Sequence, residues 1–219
     1  MNFSTATSPL QSSMRAAEIC ALAPIVPVIV IEDLAHARPL AQALVAGGLP
    51  ALEVTLRTEI AIEAIAEMAQ VEGAVVGVGT LLTSLDVAAA VEAGAQFGVS
   101  PGATDRLLDA AIEAGLPMLP GAATASEVMA LLEKGYTVLK FFPAEASGGA
   151  AALKAIGAPI PQVGFCPTGG ITPQNAASYL SLPNVLCAGG SWVAPKAMME
   201  AGDWAGITAL AKVAAALAR

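Results

Sequence analysis

Short apolar runs alternate with amphipathic stretches along most of the chain. Each run has the length of a strand buried on both faces, and each amphipathic stretch is long enough for a crossover helix. The centres of the runs lie roughly 20–26 residues apart, close to the minimum for a strand, a helix and two loops. The predicted strands are Ile25–Ile31, Ala51–Arg57, Ala74–Thr80, Phe97–Pro101, Met118–Gly121, Val138–Phe142, Gln162–Thr168 and Val185–Gly189.

Capping residues and glycines mark the helix boundaries. Thr104 opens a helix that runs towards Gly115, and Thr124 with Glu127 forms a capping box. Thr172-Pro173 has the pattern of an N-cap followed by a proline in the first turn. The helix-to-strand turns share a glycine, which suits the left-handed residue at a helix C-terminus.

Eight strand–helix units without a linker predict a single (β/α)8 TIM barrel in the α/β class, spanning residues 14–219. An extra helix is predicted at Ser12–Leu22, before the first strand, and residues 1–13 are expected to be a loose extension. The alternative is a doubly wound open sheet. That fold usually has a glycine-rich fingerprint after its first strand, which Ile31–Leu34 lacks.

Composition and charge exclude several classes of protein. The net charge is −8 and the ten Lys and Arg residues are scattered, so nucleic acid and anionic membranes are poor partners. The longest apolar run, Ile19–Ile31, contains two prolines and falls short of the ~20 residues that cross a bilayer. No basic residue precedes Arg15, so no secretory signal is expected.

The three cysteines are odd in number and lie far apart in apolar surroundings. This distribution suits a reducing cytoplasm and has no metal-ligand spacing, so we expect a cytoplasmic protein without a metal.

Lys140 is the most informative residue, because it is the one charged side chain in the apolar strand Val138–Phe142. Lysine is rarely buried without a reason. Burial removes the hydration of the ammonium and favours the neutral amine, which can form a Schiff base with a ketone. The alternative is a lysine that extends from a strand end into solvent.

The second strand carries a polar face. Side chains alternate along a strand, so Glu53, Thr55 and Arg57 share one face, which would point into a closed barrel together with Lys140. Arg57 lies near the C-terminal mouth, where it could bind a substrate carboxylate; the alternative is a structural ion pair. At the end of strand three, the glycines before Thr80 would leave room for substrate, and the Thr80 hydroxyl could hydrogen-bond it.

Two glycine pairs follow strands seven and eight, the usual phosphate site of such barrels. Gly169 and Gly170 lie in the first loop, and Gly189 and Gly190, followed by Ser191, form the second pair. Bare backbone amides can approach an anion there, which lets a chain of net charge −8 bind phosphate. The alternative is two tight turns.

Taken in order, these motifs resemble the 2-keto-3-deoxy-6-phosphogluconate (KDPG) and 4-hydroxy-2-oxoglutarate (KHG) aldolase family of class I aldolases, over nearly the whole chain from Ala23. The motifs that carry the resemblance are Pro27–Val30, Leu52–Thr58, Gly77–Thr80, Val99–Gly102, Leu139–Glu145, Phe165–Gly170 and Gly189–Trp192.

The resemblance implies roles for individual residues. Lys140 would form the Schiff base and Glu53 would be the acid/base. Arg57 and Thr80 would hold the pyruvate portion, Phe142 would line its pocket, and Pro101 and Thr168 are further substrate-binding candidates. The residues implied to bind phosphate are Gly169, Gly170, Gly190 and Ser191. The family also implies a homotrimer that needs no cofactor.

The predicted function is therefore a lyase that cleaves KDPG to pyruvate and glyceraldehyde 3-phosphate, with additional cleavage of 4-hydroxy-2-oxoglutarate to pyruvate and glyoxylate. Two alternatives stay open on the sequence. One is a phosphosugar isomerase or synthase on the same barrel, and the other is a non-catalytic barrel that binds a phosphorylated metabolite.

Overall fold

The computed structural model describes residues 6–218 of an α/β protein whose helices and strands alternate. None of the helices in this range is long and apolar enough to cross a membrane. The strands are β1 (Ile25–Ile29), β2 (Ala51–Thr55), β3 (Val75–Gly79), β4 (Phe97–Val99), β5 (Met118–Leu119), β6 (Gly121–Ala122), β7 (Val138–Phe141), β8 (Gly164–Pro167) and β9 (Ala188–Gly190). The helices are α1 (Pro9–Cys20), α2 (Ala37–Ala46), α3 (Ala61–Met68), α4 (Ser84–Glu92), α5 (Asp105–Glu113), α6 (Ala125–Glu133), α7 (Gly149–Gly157), α8 (Ala176–Leu180), α9 (Lys196–Glu200) and α10 (Trp204–Ala215), with a 3-10 turn at Leu34–His36.

All strand pairs are parallel, and the strands form a curled sheet in two sections. One section has the order β5-β4-β3-β2-β1-β9 and the other has the order β6-β7-β8. Single bridges between Thr168 and Gly189, and between Phe165 and Val185, join the β8 region to the β9 region. The α/β class and the parallel sheet expected from the apolar runs are thus confirmed.

The predicted strand Met118–Gly121 is divided by Pro120 into β5 and β6. Proline has no N–H to give to a strand ladder, so regular pairing stops there. Its carbonyl still accepts a hydrogen bond from the Lys140 backbone N–H at 2.9 Å. The short β5–β6 segment therefore pairs with β4 on one side and with β7 on the other.

Two separate apolar clusters cover the two faces of the sheet. The larger cluster lies between the convex face and the helices, and it includes Leu52 and Val54 of β2. The concave face holds a smaller cluster, in which Val26, Ala51 and Val138 meet Ile19 of α1. Neighbours along one strand thus belong to different cores, as the alternation of strand side chains requires.

Helix α1 begins earlier than expected. It spans Pro9–Cys20, and Ser8 caps its N-terminus, so the expectation of a loose segment up to Ser13 is wrong for residues 9–13. The buried hydroxyl of Ser12 accepts the Met118 N–H at 2.8 Å, and that of Ser13 accepts the Thr137 N–H at 2.9 Å. Both donors lie where a strand begins, so α1 closes the N-terminal end of the sheet. Residues 1–5 of the expected extension lie outside the described residues.

Two of the predicted helix starts are confirmed and one is wrong. Thr104 caps α5 and Thr124 forms a full capping box with Glu127. At the third site, α8 begins at Ala176 and not after Thr172. The Thr172 carbonyl accepts the Ala176 N–H at 3.0 Å, and the Asn175 side chain accepts the Thr172 N–H at 2.8 Å, so residues 173–175 form a turn that precedes the helix.

Candidate active site

Lys140 and Glu53 form a buried ion pair on the concave face of the sheet. The distance from Lys140 Nζ to Glu53 Oε1 is 3.2 Å, and the two residues are only 5% and 2% exposed. Lys140 is on β7 and Glu53 on β2, so the pair joins the two sections of the sheet. The Phe142 ring lies beside the amine, with its centroid 5.1 Å from Nζ. The structure thus places an amine, a carboxyl group and an aromatic ring together.

A missing side chain on β3 makes room for the Glu53 carboxyl. A Cβ atom on Gly79 would lie 2.8 Å from Glu53 Cγ and closer still to Oε1. Likewise, a Cβ on Gly77 would overlap the Phe97 ring. The expectation that these glycines leave room for substrate is therefore wrong, because the space belongs to Glu53 and Phe97.

Burial raises the pKa of the Glu53 carboxyl above its ordinary value of 4.5, and the nearby Lys140 charge only partly opposes this shift. A carboxyl group with a raised pKa holds and releases a proton more readily near neutral pH. This is the property required of a general acid/base, which works best when its pKa is near the working pH.

A group of three thiols lies next to the pair, and sequence reasoning did not connect it with the site. Cys166 of β8 is the register partner of Lys140, and its thiol is hydrogen-bonded within a cluster with Cys20 and Cys187. These hydrogen bonds hold the pKa of Cys166 well below its usual range, and its charge in turn helps to raise the pKa of Glu53. The three cysteines form no disulfide.

Arg57 lies just beyond the end of β2 and lines a cavity of about 590 Å³. Within the described part of the chain, its guanidinium forms no hydrogen bond or ion pair with another residue. The same cavity contains Ser191 and is bordered by Val28, the register partner of Glu53. Lys140 and Glu53 are not among the residues that line this cavity.

Thr80 has a left-handed backbone with φ of 64°, directly after β3. Among the described residues it is the only one other than glycine with positive φ. A β-branched residue is strained in this region, at a cost on the order of 1–3 kcal/mol, and such strain concentrates at functional sites. The sequence made Thr80 a candidate because of its hydroxyl group. It gave no indication of the left-handed backbone at this residue.

The loop after β8 has two consecutive left-handed glycines, Gly169 with φ of 102° and Gly170 with φ of 79°. Their carbonyls are bound to protein donors: the Gly169 carbonyl accepts the Glu145 N–H at 3.0 Å, and the Gly170 carbonyl accepts Asn175 Nδ2 at 2.9 Å. The N–H groups of Gly170 and Ile171 donate to no acceptor in residues 6–218. The loop therefore offers free backbone donors, as a site for an anion requires.

Glu145 and Tyr179 form a second contact beside this loop that sequence reasoning missed. The buried Tyr179 hydroxyl donates a hydrogen bond to Glu145 Oε1. Burial and the adjacent carboxylate raise the pKa of Tyr179, so the hydroxyl stays protonated and acts as a donor. Glu145 was visible only as part of a motif, and Tyr179 gave no signal because it lies on a separate helix.

Gly190 and Ser191, the two phosphate candidates after Gly189, lie in different environments. A side chain on Gly190 would overlap the Trp192 ring, which folds back over the end of β9. Ser191 is exposed and lines the cavity shared with Arg57. Of these two candidates, only Ser191 lines the cavity.

The two remaining candidates, Pro101 and Thr168, lie just beyond the ends of β4 and β8. The Pro101 backbone lies against Gly121, whose register partner is Lys140. The Thr168 hydroxyl is 4.0 Å from the Cys166 sulfur and occupies the space above Gly189.

Comparison with known proteins agrees with this geometry. A family model for KDPG and KHG aldolase matches residues 16–210. A 2-dehydro-3-deoxy-phosphogluconate aldolase of Pseudoalteromonas atlantica is 56% identical over 194 residues, which are 88% of this chain and 90% of that protein.

Two solved structures are also similar. The KDPG aldolase of Zymomonas mobilis with 3-phosphoglycerate has a TM-score of 0.89 and 53% identity, and the match covers 94% of this chain and 98% of that one. The KDPG aldolase of Legionella pneumophila, with pyruvate captured as a covalent carbinolamine, has a TM-score of 0.88 and 46% identity, with coverage of 91% and 98%.

The parallel sheet and the buried lysine–carboxylate pair define an α/β enzyme of the lyase class. The chain belongs to the KDPG and KHG aldolase family, as the sequence motifs predicted.

Proposed function

We propose that this protein is a class I aldolase that cleaves KDPG to pyruvate and glyceraldehyde 3-phosphate, with Lys140 as the Schiff-base residue. The observation that carries the proposal is the buried pair of Lys140 and Glu53 at 3.2 Å. The relative from P. atlantica, named as a KDPG-cleaving enzyme, supports the choice of substrate.

The reaction begins when the neutral Lys140 amine attacks the C2 ketone of the substrate. The resulting carbinolamine loses water and becomes an iminium, which withdraws electrons from C3. Glu53 then takes the proton of the C4 hydroxyl, the C3–C4 bond breaks, and glyceraldehyde 3-phosphate leaves. The electron pair of that bond forms an enamine on Lys140.

The second half of the reaction returns the enzyme to its starting state. The protonated Glu53 gives its proton to C3 of the enamine, and water hydrolyses the iminium to release pyruvate. The raised pKa of Glu53 suits both transfers, because the group must accept a proton in one step and return it in the other.

The pyruvate portion is held at the mouth of the sheet. Arg57 binds the substrate carboxylate, since its guanidinium has no partner among the described residues and lines the cavity. The Thr80 hydroxyl hydrogen-bonds the same portion, and the Phe142 ring covers it from the side of Lys140. Pro101 and Thr168 complete the pocket from the neighbouring strands.

The phosphate binds at the loops after β8 and β9, through Gly169, Gly170, Gly190 and Ser191. The free N–H groups in the first loop support this assignment. The same site also cleaves 4-hydroxy-2-oxoglutarate, as the family description suggests, although this shorter substrate has no phosphate to bind.

The finer architecture is part of the same proposal. The curled sheet closes into a (β/α)8 barrel preceded by α1 as a single domain, and the bridges between the β8 and β9 regions support this closure. We also propose a cytoplasmic homotrimer. The exposed side chains of Leu82 and Leu85 supply apolar surface for subunit contact, and three cysteines without a disulfide suit a reducing compartment.

Borohydride trapping tests the central assignment. The protein is incubated with pyruvate and reduced, and the adduct is located by mass spectrometry, with Lys140→Met as the matched variant. We expect one adduct, on Lys140, and loss of KDPG cleavage in the variant. Full turnover with an unmodified Lys140 would defeat the proposal. An isomerase or a non-catalytic binder on this fold would give no adduct.

A further inference from the structure

The two carbonyls of the glycine loop after β8 are fixed by residues outside the loop. Glu145 donates its backbone N–H to the Gly169 carbonyl, and Asn175 donates its side-chain amide to the Gly170 carbonyl. In a trans peptide, the C=O of one residue and the N–H of the next point in opposite directions. The N–H groups of Gly170 and Ile171 therefore point away from Glu145 and Asn175.

Tyr179 fastens Glu145 in this position. Glu145 is an exposed residue, so its carboxylate would otherwise be free to move in solvent. Tyr179 is fully buried on α8, and its hydroxyl donates to Glu145 Oε1. The bond joins the segment after β7 to the helix that follows the glycine loop, so the loop is enclosed between them.

The packing around Gly170 shows how closely Glu145 contacts the loop. A Cβ on Gly170 would lie 2.7 Å from both Cβ and Cγ of Glu145. The Glu145 side chain thus packs directly against the loop at Gly170, so a change in its position would be felt by the loop.

We propose that Glu145, Tyr179 and Asn175 are positioning residues that orient the peptide planes of Gly169 and Gly170 towards the substrate phosphate, and that they set the preference for phosphorylated substrates. This inference rests on the proposed function, because it assigns the same loop to the phosphate. It adds three residues that do not touch the reacting atoms.

The test compares a substrate that has a phosphate with one that has none. Steady-state kinetics on KDPG and on 4-hydroxy-2-oxoglutarate are measured for Glu145→Ala, Tyr179→Phe and Asn175→Ala. We expect KM for KDPG to rise about 5- to 20-fold with little change in kcat, which corresponds to the loss of about one hydrogen bond to a charged group. Both constants for 4-hydroxy-2-oxoglutarate should stay within about twofold, since general damage to the fold would change both substrates.

Three further variants show whether the Tyr179–Glu145 hydrogen bond, and not the charge of Glu145 or a general change to α8, causes the effect. Glu145→Gln keeps an acceptor for Tyr179 and should retain the wild-type KM for KDPG. Ser181→Ala, at the exposed end of α8, is the matched control and should change nothing. Glu145→Ala combined with Tyr179→Phe should be no worse than either change alone, because both remove the same bond.

Inorganic phosphate is the direct probe of the loop. It should inhibit KDPG cleavage competitively in the wild type, and its inhibition constant should rise in step with KM in the three variants. Pyruvate trapping on Lys140 should be equal in all of them.

Equal losses on both substrates, or an unchanged KM for KDPG, would overturn the inference. If Tyr179→Phe does not fold, the exposed Glu145→Ala and the half-buried Asn175→Ala decide the outcome. A wild type that cleaves neither substrate and is not trapped by pyruvate would overturn the proposed function as well. An active wild type with unaffected variants overturns only the inference.

Discussion

The Glu53 side chain of β2 reaches over Gly79 of β3, two residues beyond its register partner Gly77, and its carboxyl occupies the space that a side chain at Gly79 would fill. Because Gly79 has no side chain, the Glu53 side chain can lie along the concave face and reach Lys140 on β7. Three strands thus build one buried ion pair: β7 supplies the amine, β2 supplies the carboxyl, and the glycine of β3 leaves space for that carboxyl.

Replacing Gly79 with alanine should displace the Glu53 carboxyl, because the new Cβ would overlap it. A misplacement of this size in a reacting group costs on the order of 10²-fold in kcat. The measurement is kcat for KDPG cleavage, with circular dichroism to follow the fold. Gly102→Ala is the control, since nothing lies within 4 Å of a Cβ at that exposed glycine. Equal activity of the two variants would contradict the role of Gly79.

Glu53→Gln removes the proton carrier and keeps the shape of the side chain. We expect kcat to fall roughly 10²- to 10⁴-fold, while pyruvate can still be trapped on Lys140. In the wild type, activity should rise with pH as the Glu53 carboxyl ionises, because the ionised form accepts the C4 hydroxyl proton. Burial raises the pKa of this carboxyl, so the increase in activity should be centred above pH 4.5. The Glu53→Gln variant should not show this increase. The pH dependence of kcat/KM measures this increase. If Glu53→Gln shows the same increase as the wild type, another group causes it.

Thr80→Gly should increase stability and reduce activity. Relief of the left-handed conformation gains about 1–2 kcal/mol, and the added freedom of glycine in the unfolded chain costs about 0.5–1 kcal/mol, so a net gain of up to about 1.5 kcal/mol is expected. Urea unfolding measures the gain, and KM for KDPG should rise because the hydroxyl is lost. Thr172→Gly, at an exposed position with an ordinary backbone, should give no gain. A destabilised Thr80→Gly would show that the strain is not stored there.

Ser12→Ala and Ser13→Ala should each destabilise the protein, although both changes lie far from the proposed active site. Each leaves one strand-end N–H, of Met118 or Thr137, without its acceptor, at a cost of about 1–3 kcal/mol. The two hydroxyls have different partners, so the double variant should lose about the sum in urea unfolding. Ser181→Ala should stay within about 0.5 kcal/mol of wild type. If both serine variants match that control, α1 does not stabilise the sheet in this way.

The alternation of strands and helices could be predicted because it depends on local periodicity. The shared face of Glu53, Thr55 and Arg57 could be predicted for the same reason, and so could the caps at Thr104 and Thr124. The start of α8 was predicted too early, because residues 173–175 form a separate turn before the helix, closed by the Ala176 N–H donating to the Thr172 carbonyl at 3.0 Å. The capping pattern at Thr172 indicated a turn there but could not show that the regular helix begins only at Ala176.

The sequence by itself determined the class of fold, the family, and the presence of a lysine and a carboxylate on one face of the sheet. Only the tertiary structure decided that Lys140 and Glu53, 87 residues apart in the chain, meet at 3.2 Å. It also decided that Gly79 leaves space for the Glu53 carboxyl and that the Tyr179 hydroxyl donates a hydrogen bond to Glu145. The physical reason is that periodicity specifies which way a side chain points, while contact between distant strands depends on sheet register and curvature, which arise only when the whole chain packs.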